Sequence, residues 1–323
     1  MKLIREGHLY SSQYRNGLSN HLPMALASLD FLGANESQIQ KFNEMYLKNL
    51  EPVKESTATV DSVINHFGKN DDFQAVVDYF KSQLDEFGLE EVLLKTVPSL
   101  SEGISGAAFH PLIRLAFSIE IDDSTEQAHA LASWVVAYQK LAGRDESRAK
   151  VSFAESLSSL KSKFNEPYKP EGYGVFKRMA VASEHENFKD FLNSFDMGTN
   201  AVKEISELVI RLYLSTKDNF TALHAVTSCH ALRVVSKSYK GNFKELIRYY
   251  WQAIGAAYID IGLPELIDIE VPKILPSWED ILCKACESTN DHIIKLVYTC
   301  REEFHHYGNN LYHLAASKKV RLI

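Results

Sequence analysis

The sequence has little of what interrupts helices or builds sheets. Its 323 residues include only 9 prolines and 15 glycines, and alternating apolar and polar runs rich in β-branched residues are scarce. Cysteine is sparse too: Cys229, Cys283, Cys286 and Cys300 are too few and too clustered towards the C-terminus to form the disulfide framework of such a chain, which fits a reducing compartment. Cys283 and Cys286 form a CxxC, but without a second ligand pair for zinc or the βαβ setting of a thioredoxin motif they read as small residues on one side of an apolar helix. Uninterrupted apolar stretches of membrane-spanning length are missing, and MKLIREGHLYSSQYRNG lacks the apolar segment of a signal peptide, so neither membrane insertion nor export is expected and the cytoplasm is the expected location. There is no basic run, and 35 Lys plus Arg against 42 Asp plus Glu leave a formal charge of −7, which argues against a nucleic-acid partner. HExxH, GxSxG, a Walker A loop and GxGxxG after a strand are all absent, so hydrolase, kinase and Rossmann readings lack support.

What is present is a helical protein of ordinary composition, 45% hydrophobic and 24% charged, with enough length to bury a core unaided. Apolar residues recur at three- and four-residue steps in Ile39, Phe42, Tyr46 and Leu50; in Val60, Val63, Ile64 and Phe67; in Val76, Val77, Phe80, Leu84 and Phe87; and in Val202, Ile205, Leu208, Val209 and Leu212. Further helices are expected over Leu223 to Ser236, Phe243 to Ile261 and His292 to Phe304, with Asp71 or Asp72, Asn219, Asn242 and Asp291 as caps. Proline and glycine clusters predict loops or lids at Pro98 to Gly106, Pro167 to Gly174 and Gly262 to Pro276. The expectation is an all-α fold of roughly a dozen helices in one bundle-like domain over 1–323, with a sub-bundle boundary conceivable near 167–174.

Twelve histidines are the chemistry-bearing residues. His8, His66 and His185 adjoin polar or terminal segments and read as surface residues; His129, His305, His306 and His313 read as structural or surface. His21 follows Ser19 and Asn20, either of which can cap, and precedes Pro23 in a first helical turn. His110 precedes Pro111, which pushes it out of the helical region to the last position before a helix. Ligands at such junctions are anchored on one side by rigid structure, although from sequence alone capping or packing is the simpler explanation of either residue. His224 and His230 interrupt an apolar stretch and need polar partners, which a metal would supply. Six residues correspond to about 240° of rotation on a regular helix, so their joint ligation requires a π-bulge or break near Thr227. His292 and Lys295 stand three apart on one helix face, a pattern that a solvated face also produces.

The stretches YRNGLSNHLPMALASLDFLGA, GISGAAFHPLIRLAFSIEI, LHAVTSCHALR and DHIIKLVYTCRE occur in the order found in questin oxidase-like proteins, and as a set they resemble that family along nearly the whole chain. The resemblance implies a metal-dependent oxidoreductase, a mono- or dioxygenase that oxidises or opens an aromatic, polyketide-like small molecule with dioxygen, in part of the family with NADPH. It further implies iron held by four histidines and a carboxylated lysine. Carried onto this chain these are His21, His110, His224, His230 and Lys295, with His292 as a supporting residue or substitute ligand. Arg114, Glu120 and Arg233 lie near these positions in sequence and are candidates for orienting substrate or ligating imidazoles. A helical scaffold without metal and a zinc-dependent hydrolase are the competing expectations.

Overall fold

A computed structural model describes residues 2–15, 17–142, 151–166, 168–189, 191 and 198–323. Among these the regular structure is helical, apart from a two-stranded antiparallel ribbon of β1 (Gln13–Tyr14) and β2 (Leu18–Ser19). The helices are α1 (Lys2–Glu6), α2 (Leu22–Phe31), α3 (Glu36–Leu47), α4 (Phe73–Leu100), α5 (His110–Glu120), α6 (Ser124–Val136), α7 (Phe153–Ser162), α8 (Val175–Glu184), α9 (Ala201–Leu214), α10 (Phe220–Ser238), α11 (Phe243–Ile261), α12 (Trp278–Cys286), α13 (Asp291–Tyr307) and α14 (Asn310–Lys319). None of them is long and apolar enough to cross a membrane.

The sequence of α10 dictates its place. It is apolar on nearly every face, and every residue from Thr221 to Val235 is buried, which only a helix surrounded by others can satisfy. Helices α5, α9, α11 and α13 pack around it; α2 covers α13, and α6 bridges α5 to α4. One continuous hydrophobic core results. Asn219 starts α10 by accepting from the Thr221 and Ala222 amides at 2.9 and 3.1 Å, and Asn242 starts α11 by accepting from Glu245, both as their positions predict.

Several boundaries differ from expectation. The Val60 to Phe67 pattern yields only a single 3₁₀ turn, Val63–His66. Four apolar residues are too few to nucleate a helix, and Ile64 lies exposed rather than completing a buried stripe. The Pro98 to Gly106 segment is not a simple loop, because α4 runs through Pro98 to Leu100 after a break at Gly88 (φ 75°, ψ 167°). Pro98 sits on the exposed face, where water can serve the carbonyl its missing N–H leaves free. Asp72 precedes α4 without capping it; its carboxylate holds buried His66 at 2.7 Å instead, so His66 is not a surface residue. Pro167 lies outside the described residues, while the Gly262 to Pro276 segment is a loop as expected.

The approach to α5 is the least ordinary backbone among the described residues. Ala107, Ala108 and Phe109 all adopt left-handed geometry, with φ of 45°, 56° and 68°, at a cost of roughly 1–2 kcal/mol for each residue. His110 itself is helical, at φ −56° and ψ −39°, not the extended residue that Pro111 predicts. The turn is wedged against the end of α6, where a Cβ on Gly106 would meet the Ala137 carbonyl oxygen at 2.1 Å. Gly106→Ala is therefore expected to lower unfolding free energy by about 1–3 kcal/mol, read from the denaturant midpoint. An unchanged midpoint would show that the turn is not held by this contact.

Candidate metal centre

Four histidines from four helix starts meet beside α10. The rings of His21 and His110 stack at 4.4 Å between centroids, and His292 stands edge-on to His21 at 4.8 Å. His224 closes the group, 4.7 Å from His110 and 5.3 Å from His292. One nitrogen each from His21, His110 and His292 lies within 4.8 Å of the others, so the cluster could hold a metal ion. The His224 Nε2 is 3.2 Å from the His110 Nε2.

Each ring is set by its own element. Asn20 accepts from the Leu22 amide at 3.0 Å and ties itself to the Ser11 carbonyl, which fixes the loop at His21, and Pro23 lies in the turn that follows. The left-handed turn before α5 bends the Ala107 carbonyl back to receive His110 Nδ1. His224, one turn into α10, gives its Nδ1 proton to the Phe220 carbonyl at 2.7 Å. For α13 the cap is Asn290, which accepts from the His292 and Ile293 amides at 2.9 and 3.3 Å. Asp291, expected as that cap, is freed to turn inward. Its Oδ2 takes the His21 Nδ1, lies 3.1 Å from the His292 Nδ1 and 3.4 Å from the Lys295 Nζ.

The hydrogen bonds decide the tautomers. A carbonyl oxygen only accepts, so His110 and His224 both carry their proton on Nδ1 and point a bare Nε2 lone pair at the other. Asp291 takes the Nδ1 protons of His21 and His292 in the same way, and the Nε2 atoms of both are buried without a partner. Protonating the rings is no remedy. Burial pushes the His110 and His224 pKa well below the usual value, that of His21 to about 3 with Lys295 adding to the effect, and that of His292 down as well. Four neutral imidazoles, each steadied through Nδ1, present the kind of nitrogen donor that a metal ion could take. The buried Asp291 carboxylate stays charged because His21 and Lys295 hold its pKa down against desolvation.

His230, by contrast, is not brought into this group. Helix α10 is unbroken, and six residues of rotation carry His230 to another face, where its Nδ1 meets Glu303 at 2.8 Å and its Nε2 faces Glu120 at 3.5 Å. Arg233 binds the same Glu303 through Nε at 2.7 Å, and Tyr298 stands edge-on to His230. Arg114 makes a two-pronged pair with buried Glu126 at 2.6 and 2.9 Å, and Glu126 also takes His8, which stacks on buried His129. His8 is thus tied into the interior, contrary to its surface reading. Sequence reasoning missed Asp291, Glu303 and Glu126 as partners of buried basic side chains.

A cavity of about 290 Å³ opens beside the four-histidine group. His21, His110, Asp291 and His292 form one side, and Tyr14, Tyr46, Tyr173, Phe176 and Phe220 give it an aromatic lining. Tyr173 and Gly174, from the predicted lid segment, reach its rim. Arg114, Glu120 and Arg233 do not line it.

The Glu120–His230–Glu303–Arg233 network makes stability depend on pH. Burial alone would lower the His230 pKa, but Glu120 and Glu303 raise it from 6.5 to about 9. The imidazolium therefore stabilises the fold fully below about pH 6.5, and the contribution fades as pH rises through about 9. His230→Gln is expected to flatten the unfolding free energy between those values, a span worth on the order of a few kcal/mol in the parent. An identical pH profile in the variant would contradict the assignment.

No curated protein matches the sequence closely enough to report. Among sequence models of known families, that described as questin oxidase-like matches residues 18–300, a span that takes in all four clustered histidines, Asp291 and Lys295. On that match the chain belongs to the questin oxidase-like family.

Proposed function

We propose that the four-histidine pocket holds a redox-active metal, iron in the first place, and that the protein oxidises or opens an aromatic ring with dioxygen. The observation that carries this reading is the pair of Nε2 lone pairs of His110 and His224 facing each other at 3.2 Å, next to two more unpartnered Nε2 atoms. Buried lone pairs repel unless a cation lies among them, and imidazole nitrogen suits iron, copper, nickel and zinc. Within that set, iron and an oxidoreductase role are the choice that the family resemblance supports.

In this reading His21, His110, His224 and His292 hold the metal, His292 filling the place that the family resemblance gives to His230. Asp291 orients His21 and His292. Lys295, buried and with its pKa lowered by desolvation, is the lysine to which the family pattern gives the remaining place. An ammonium has only donors, so Lys295 must act as free amine or as the carbamate formed with carbon dioxide. Bound iron would supply the one-electron chemistry that dioxygen requires and side chains lack. The protein's own part is to present a ring against Phe220 and Tyr173 and to keep bulk water from the cluster. Arg114, Glu120 and Arg233 support packing rather than substrate. An NADPH requirement rests on the family resemblance alone.

The test is elemental analysis of untagged protein after anaerobic iron reconstitution, paired with oxygen uptake on hydroquinone-type substrates. About one iron per chain and substrate-dependent uptake are expected. No metal would leave a helical scaffold, and a preference for zinc without oxygen uptake would leave a hydrolase. Among variants, His110→Ala and His224→Ala should lose the metal, Asp291→Ala should weaken it about 10–100-fold, and His230→Gln should retain it. Loss of metal in His230→Gln with retention in His292→Ala would reverse the assignment.

A further inference from the structure

One wall of the cavity carries polar groups that the metal reading leaves unused. Tyr46 on α3 is only 7% exposed, and its hydroxyl accepts a hydrogen bond from the His21 backbone N–H at 3.1 Å. Tyr14 on β1 is half-buried, lines the same cavity, and has its phenol beside that of Tyr46. Each phenol has one proton to give and room to accept. The His21 amide is a fixed donor, so it commits a Tyr46 lone pair and leaves the Tyr46 proton to point away from the backbone. No carboxylate or carbonyl takes a proton from either phenol through a hydrogen bond within the described residues. The pair holds two O–H protons and can satisfy one between its own oxygens; the second is left for whatever fills the cavity. The rings of Phe220 and Tyr173 line the same cavity, Phe220 lying 4.5 Å from His224 and 4.7 Å from His292.

We propose that the Tyr14–Tyr46 pair is a specificity element, a hydrogen-bond donor that orients a flat ring-bearing substrate through an acceptor oxygen, a carbonyl or a phenolate. Ligands of the same shape without that oxygen leave the donor unpaired in a mostly apolar cavity, and discrimination follows from the cost of that unpaired group. The inference takes the place of reaction from the proposed function and adds which substrates the cavity admits.

The experiment compares binding of α-tetralone with tetralin, two bicyclic probes that differ by one carbonyl oxygen, to the iron-reconstituted full chain by calorimetry. In the parent, α-tetralone should bind at least as tightly as tetralin although water solvates it better. In Tyr14→Phe/Tyr46→Phe the ratio of the two affinities should fall about 10-fold, with tetralin affinity unchanged. Tighter binding of tetralin by the parent overturns the proposal without need of any variant, as does a double variant that keeps the parent's ratio. Iron content of the same samples separates the two claims: a preference for α-tetralone in protein that takes no iron removes the oxygenase reading and leaves the donor pair, and iron-loaded protein without the preference does the reverse.

Discussion

Two imidazole nitrogens 3.2 Å apart, each with its ring's proton committed to a carbonyl on the far side, are the constraint around which the rest of the molecule is arranged. The arrangement is repulsive by itself, and the fold maintains it with rigid devices: a strained left-handed turn for His110, and a capped helix start for His224. The strain at Ala107, Ala108 and Phe109 would be selected against in a turn that only connected two helices. Here it aims one carbonyl at one nitrogen, and so decides which nitrogen faces the cluster.

The bundle extends that logic to two polar layers. Helices α5, α10 and α13 each contribute to both. His110, His224 and His292 form the open layer beside the cavity. Glu120, His230 and Glu303 form a closed layer further along the same helices, completed by Arg233. The two differ in charge balance. In the closed layer two carboxylates face one guanidinium and one imidazolium, so the charges cancel and the pKa of His230 rises. In the open layer one carboxylate serves two rings and a lysine, the rings are neutral, and the uncompensated feature is lone pairs. Buried ion networks of the first kind hold helices in register, and losing one partner strands the other charge. A surplus of lone pairs of the second kind calls for a cation.

Much of this is legible in the sequence, for identifiable reasons. His21 and His110 could be located at helix starts because Asn20, Pro23 and Pro111 are strong local signals. The rotation between His224 and His230 argues against joint ligation, and with no bulge in α10 the helix sends the two residues to different layers. Residues whose roles depend on tertiary partners were hidden. Asp291 reads as a cap because it precedes an apolar run, yet Asn290 beside it competes for that role and wins, and which of two adjacent capping residues turns inward is decided by His21, distant in sequence. Glu303 and Glu126 look like any carboxylates on an amphipathic helix until Arg233 and Arg114 are packed against them. His292 on its own is one histidine on a polar-looking stripe, and only the packing of α2 on α13 gives it a place.

The most direct test of the account is an anomalous-difference map from crystals of the iron-loaded protein, recorded at the iron edge. One peak enclosed by the Nε2 atoms of His21, His110, His224 and His292, with Asp291 behind the rings of His21 and His292, is the predicted result. A peak between His230 and Glu120, or well-ordered histidines with no peak among them, would contradict it.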